Sequence, residues 1–314
     1  MDGFVASAKF RDQEVTADGK PRAAVDLGGL TTLWFNTGTL CNLTCVNCYI
    51  ESSPHNDALI YLTAAEVRRF LDEAESEAPE LREVGFTGGE PFLNRELPAM
   101  LEDVLGRGLH ALVLTNAMRP MMLKRKSLLA LAAAHGERLV LRVSLDHHTA
   151  AGHDALRGPG SFAKALEGLR WLAANGLHVA VAGRTVSGEG EAALRPGFAD
   201  LFAAHGLALD AYDPKRLVLF PEMDGSPEVP EIAKSCWAIL GKRPEAMMCA
   251  SSRMVVHRKG EAEARVAACT LLPHDPRFDC GATLARALDG ERRRIWLSHP
   301  HCSRFCALGG ASCG

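Results

Sequence analysis

The chain carries little that would direct it to a membrane or a nucleic acid. Over 314 residues the formal net charge is only -3, so no strong field of either sign gathers phosphates or lipid headgroups. No apolar run reaches the length of a transmembrane span, and none follows a basic start as a secretory signal would; the expectation is a cytoplasmic protein with no nucleic-acid or membrane partner. The other proportions, 47% apolar and 23% charged, are those of a soluble globular chain long enough for one barrel-sized domain and a small second one. Ten cysteines are the exception. In a reducing compartment they point to metal sites rather than a disulfide framework.

Residues 31–240 repeat one pattern: an apolar helix, a stop containing glycine, then a continuous apolar strand. The stops are Arg107-Gly108, His135-Gly136, Asn175-Gly176 and His205-Gly206, where a helix C-terminus calls for a left-handed residue. Strands are expected at residues 31–36, 81–86, 109–114, 139–145, 177–181 and 217–220, with a weaker one at 207–209; runs without alternation imply burial on both faces. Thr63 with Glu66 makes a candidate capping box, after which Val67, Phe70, Leu71 and Ala74 recur at helical spacing. A second helix follows Asn94, and Ser161 opens another. Alternating strands and helices imply parallel strands joined by right-handed crossovers, and six of them make an α/β fold of the partial (β/α)6 TIM-like barrel kind. Function is then expected at the C-terminal ends of the strands. Residues 1–30 read as an N-terminal arm, 31–240 as the barrel and 241–314 as a small Cys-rich segment.

The strand at 31–36 runs into Cys41, Cys45 and Cys48. Three close thiolates are one short of what a cubane of four irons needs, which leaves one iron open. Zinc usually takes two close pairs or a Cys/His quartet, so a zinc site or a set of buried thiols is the plainer alternative. After the second strand stand Gly88, Gly89, Glu90 and Pro91: the glycines allow close backbone approach, and Glu90 can accept from an ammonium group. A simple turn is the alternative. Thr115 and Asn116 end the third strand. The fourth ends in Val143-Ser144-Leu145-Asp146, with His153-Asp154 and Arg157-Gly158 beyond it.

This order of motifs resembles the radical S-adenosylmethionine (SAM) superfamily over about residues 31–314. The resemblance implies an enzyme in which Cys41, Cys45 and Cys48 hold a 4Fe-4S cluster whose open iron binds SAM. A reduced cluster then splits SAM to methionine and a 5′-deoxyadenosyl radical that abstracts hydrogen from a substrate. It further implies that Gly88, Gly89, Glu90 and Pro91 receive the amino group of SAM, while Ser144 and Arg157 help hold its ribose and carboxylate. Plainer roles for those two are a loop cap and a surface ion pair. Asn47 stands where the superfamily commonly has an aromatic residue near the adenine, and Tyr49 is the candidate replacement. His147 and His148 stand where relatives often have Gly-Pro; with Arg184 they are candidates near the substrate, a solvated loop being the alternative.

The tail places Cys249 before a β-hairpin of residues 251–258 and 265–272, with Cys269 on the second strand and Cys302, Cys306 and Cys313 beyond. This resembles the Twitch-type half of a SPASM auxiliary-cluster domain. It implies a second 4Fe-4S cluster on Cys249, Cys269, Cys302 and Cys306, with Cys313 able to replace either of the last two; zinc, or two auxiliary clusters, are the rivals. Cys236 in a helix and Cys280 in a polar loop read as ordinary thiols. An electron donor such as flavodoxin or ferredoxin is implied. Only about 30 residues precede the barrel, which tilts the expectation toward a small-molecule substrate over a peptide or protein side chain. An iron-sulfur electron carrier or a zinc-stabilised binding module is the non-enzymatic alternative.

Overall fold

The computed structural model describes residues 9–185, 189–221 and 229–309. Strand β1 (Ala24–Asp26) is followed by β2 (Thr32–Asn36), α1 (Ala64–Glu77), β3 (Glu83–Thr87), α2 (Leu97–Gly106) and β4 (His110–Thr115). Next come α3 (Arg119–Met122), α4 (Arg125–His135), β5 (Leu139–Ser144), α5 (Ala150–Arg157), α6 (Ser161–Ala174), β6 (His178–Thr185), α7 (Glu191–Ala204) and β7 (Leu217–Pro221). The C-terminal part holds α8 (Cys236–Leu240), β8 (Ser252–Val256), β9 (Arg265–Ala267), β10 (Asp279–Gly281), α9 (Leu284–Ala287) and β11 (Arg294–Trp296), and a π-helix at Cys302–Gly309.

Strands β2 to β7 lie side by side in chain order and parallel, with helices between them, which is the partial barrel expected. The capping box is present: Thr63 Oγ1 accepts from Glu66 N and Glu66 Oε2 accepts from Thr63 N, at 3.2 and 2.8 Å. Glycines at the four helix stops take φ between 56° and 82°. Both faces of the sheet are covered, as the unbroken apolar runs imply. Leu33, Phe35, Val84, Phe86 and Val113 pack on the helices, while Trp34, Leu112, Leu114 and Val140 fill a smaller core inside the curve of the sheet. Gly85 belongs to that inner packing, since a Cβ there would run into the Trp34 ring.

Three features depart from the sequence reading. Residues 207–209 join no strand; they are a connection between α7 and β7. The hairpin of β8 and β9 extends the barrel sheet, because β8 pairs in parallel with β2, Thr32 opposite Ser252. Every residue of β8 is buried, so the tail supplies part of the same sheet. Cys280 lies in β10, buried and paired against β9, rather than in a polar loop. The N-terminal arm is stitched to the far end of the chain: β1 pairs antiparallel with β11, and buried Arg22 meets Glu231 at 2.6 Å.

Candidate active site

Most of the expected site residues stand at or just beyond the C-terminal ends of strands, and one cleft collects them. Its walls include Cys41, Cys45, Cys48, Gly88, Gly89, Thr115, Asn116, Ser144, Arg157 and Arg184; Tyr49 also lines it, and its hydroxyl lies 3.1 Å from Thr87 Oγ1. The loop carrying the three cysteines is fastened by backbone to the loop after β3. Gly89 N donates to Gly38 O at 2.7 Å and Glu90 N to Leu40 O at 3.1 Å. A side chain at 89 would collide with the Leu40 carbonyl, and at Gly88, where φ is +147°, a Cβ would come within 2.6 Å of Gly38 O. The two glycines thus let one loop lie directly against the other, a local reason for them beyond approach to a ligand.

Glu90 is 1% exposed and stands behind this wall. Its Oε1 accepts from Thr115 Oγ1 at 2.8 Å and Phe92 N at 3.2 Å, and Oε2 from Asn116 N at 2.8 Å. Three of about four lone-pair sites are used, so one remains for a further donor. Burial pushes its pKa up to about 7, against the pull of those donors. Pro91 opens a buried 3-10 turn just beyond.

Asp146 organises the opposite wall. Arg157 grips both of its oxygens, Nε at 2.8 Å and Nη2 at 2.9 Å, and Arg184 Nη2 adds a contact of 2.6 Å. Burial alone would raise the pKa of Asp146, but the two guanidinium groups outweigh it and hold the carboxyl far below its usual range. Arg184 Nη1 also donates to Val46 O, and Val46 N donates to Leu156 O, so the cysteine loop is tied to β6 and α5 through Val46. The sequence reading assigned Arg157 and Arg184 to different ligands, yet both sit on one carboxylate. Asp146 is not among the site residues expected from the sequence; the signal for it is an acidic residue closing an apolar strand.

His147 and His148 do not line the cleft. His147 Nδ1 accepts from Thr149 N at 3.0 Å and its Nε2 lies 3.3 Å from Glu189, while His148 stacks on His147 and packs against Gly197 and Phe198 of α7. His153 is wholly buried, accepts from Asp146 N through Nδ1, and burial drops its pKa to about 4, so it stays neutral.

Burial pushes the Cys41 thiol up to about 12, with Cys45 and Cys48 near enough to add to the shift. In the tail, burial raises Cys249 to about 11 and Cys302 to about 12. Burial raises the Cys269 thiol well above its usual range, and Cys302, Cys306 and Cys249 add to the shift, so those three lie within electrostatic reach of it. Cys306, with Met248, Thr270, Leu271 and Phe305, lines the same cleft as the first three cysteines. Cys280 is near Cys249 but takes a hydrogen bond from Arg253, Cys236 is part-exposed at the start of α8, and Cys313 lies outside the described residues. Among the described residues no three His, Cys, Asp or Glu side chains are drawn together as for a single metal ion, and all nine cysteines are free.

The donor chemistry fits a cluster and SAM. Three thiols share a cleft whose walls carry buried Trp34 Nε1, Ser52 Oγ and Arg184 Nε without partners, polar atoms a nucleoside-bearing cofactor can engage. A parallel partial barrel with three cysteines on the loop after its first strand defines a class of cofactor-dependent enzymes. Residues 35–193, just over half of the chain, match the radical SAM superfamily, and the chain belongs to it. Members use a 4Fe-4S cluster and SAM. The chain is 32% identical over 45% of its length to the antilisterial bacteriocin subtilosin biosynthesis protein AlbA of Bacillus subtilis, and 30% identical over 44% to the mycofactocin maturase MftC of Mycobacterium tuberculosis. Those matches cover 30% and 33% of the relatives, so the chain spans about a third of their length. SuiB of Streptococcus suis with its precursor peptide SuiA superposes with a TM-score of 0.61 at 12% identity over 85% of this chain and 66% of that one. The SAM-bound enzyme anSMEcpe gives 0.61 at 15% identity over 88% of both chains. No helix among the described residues is long and apolar enough to cross a membrane.

Glu90 supplies a first expected result. Glu90→Gln keeps the shape of the carboxyl but loses its charge, and is expected to weaken SAM binding by about one to two decades, the worth of a charge-assisted contact. Calorimetric titration with SAM in the absence of substrate measures it.

Proposed function

We propose that the chain reductively cleaves SAM and uses the resulting radical to modify a peptide or protein side chain. The observation that carries this reading is the shared cleft: Cys41, Cys45 and Cys48 line it together with Cys306, a tail thiol within electrostatic reach of Cys269. Cys41, Cys45 and Cys48 would hold a 4Fe-4S cluster, and Cys249, Cys269, Cys302 and Cys306 a second. A cluster held by Cys41, Cys45 and Cys48 would supply the one-electron reductive cleavage of SAM to methionine and a 5′-deoxyadenosyl radical, and with it hydrogen abstraction from the substrate. In this reading Thr115, Asn116 and Ser144, which line the cleft, bind and orient SAM, with Glu90 taking its ammonium group from behind and Arg157 its carboxylate. Asp146 fixes Arg157 and Arg184 and, through Val46, the cysteine loop. The apolar residues Trp34, Leu114, Leu271 and Phe305 exclude water from the radical's path.

A peptide rather than a small molecule is favoured by the sequence relatives, named for bacteriocin biosynthesis and mycofactocin maturation. Flavodoxin or ferredoxin is the electron donor in this reading. The test is anaerobic incubation of the reconstituted chain with SAM, reductant and deuterated short peptides encoded beside its gene. Transfer of deuterium into 5′-deoxyadenosine, with a matching mass change in one peptide, supports the reading. Formation of 5′-deoxyadenosine with no deuterium from any peptide refutes the peptide substrate and restores the small-molecule one.

A further inference from the structure

Beyond β4, on the outer rim of the site end of the barrel, lies the segment from Asn116 to Ser127. It contains Arg119, Lys124, Arg125 and Lys126 and no acidic residue, in a chain of net charge -3. None of the four cations makes an ion pair with a described residue. Local stability disfavours this arrangement. Arg125 and Lys126 fill the first turn of α4, where the helix dipole prefers anions, and Lys124 takes the cap position with no side-chain bond to the free N–H groups. In the middle of the cations Leu123 is 71% exposed. Charges set against a helix dipole around one exposed apolar side chain describe a surface kept for a partner rather than for the fold.

Its position indicates which partner. Asn116 Nδ2 donates to Asn42 Oδ1 at 2.9 Å, and Asn42 Nδ2 reaches Met118 Sδ at 3.8 Å. Asn42 follows Cys41 directly, and Arg119 follows Met118, so the patch is one pair of side-chain contacts away from the first cysteine. We propose that this rim, Arg119 with Leu123 to Lys126, is the docking surface for an acidic one-electron carrier protein that reduces the cluster. The inference rests on the reading that Cys41, Cys45 and Cys48 hold a reducible cluster. A small charged patch with one apolar tooth suits the short-lived, low-area encounters of redox partners, where charge sets the on-rate more than the final affinity.

The experiment compares the full reconstituted chain with Lys124→Glu/Arg125→Glu/Lys126→Glu, a variant whose new acids agree with the α4 dipole and so leave the helix intact. Formation of 5′-deoxyadenosine is followed with reduced flavodoxin and, separately, with dithionite. The flavodoxin-driven rate is expected to fall at least tenfold in the variant and to fall with added salt in the wild type, while the dithionite-driven rates stay equal. Equal flavodoxin-driven rates in both proteins overturn the proposal, as does equal loss with both reductants. Unchanged flavodoxin rates with weakened peptide turnover also overturn it and give the patch to an acidic peptide. If the wild type fails to cleave SAM even with dithionite, the cluster reading itself has failed.

Discussion

Replacing Cys41, Cys45 and Cys48 together by Ala is expected to abolish 5′-deoxyadenosine formation and to leave about four irons per chain after anaerobic reconstitution. The fold should survive this. The loop is held by the backbone bonds of Thr37, Gly38, Leu40 and Cys41, none of which uses a cysteine side chain. The residual irons are those expected on Cys249, Cys269, Cys302 and Cys306. No iron with one zinc per chain would make the tail a zinc site, and about eight irons would mean two auxiliary cubanes. Single substitutions of the four, with Cys313 tested separately, then identify the ligands. Burial holds the Cys41, Cys249 and Cys302 thiols near 11 to 12 without metal, so each must lose a proton as iron binds. If these cysteines are the ligands, cluster assembly is therefore expected to be more complete at higher pH. Iron and sulfide analysis of wild type and variant, with circular dichroism for the fold, measures all of this.

The strands and helices of the barrel were legible because each obeys a local rule. Unbroken apolar runs marked strands covered on both faces, glycines marked the helix stops, and Thr63 with Glu66 marked one helix start. What escaped depends on contacts distant in sequence. Nothing local says that Ser252 lies beside Thr32, so the hairpin read as tail when its strand β8 extends the barrel sheet. Leu207 to Leu209 had strand composition but too short a run to pair. The site followed the same division. Motifs at strand ends could be placed, whereas the sharing of Asp146 by Arg157 and Arg184 depends on how β5, α5 and β6 meet. The histidine pair shows the converse: residue type suggested chemistry, whereas His148 packs against Gly197 and Phe198 of α7, His147 lies against Gly152 of α5, and neither lines the cleft.

Asp146→Ala is expected to be the most damaging single change in the cleft. It leaves the guanidinium groups of Arg157 and Arg184, which are 15% and 12% exposed, facing each other without their carboxylate. Removing one partner of a buried ion pair costs about 3 to 5 kcal/mol, well above the loss expected for a surface pair. Unfolding in urea should show a loss of that order, and the melting point should drop by roughly 5 to 10 °C. Because Arg184 also holds Val46, SAM affinity should fall at least tenfold even in folded protein. The pH dependence has a definite sign. A carboxyl whose pKa is lowered in the folded state stabilises fully above its unfolded value of about 4, and the contribution disappears as pH falls through the lower folded value. The gap between wild type and variant should therefore be constant from neutral to mildly alkaline pH and close only on strong acidification. Adding Arg184→Met to Asp146→Ala should recover part of the lost stability, since one stranded charge is gone, but not SAM binding, since Val46 is still untied. If the double variant is no more stable than the single one, Asp146 is not the counter-ion that the geometry makes it.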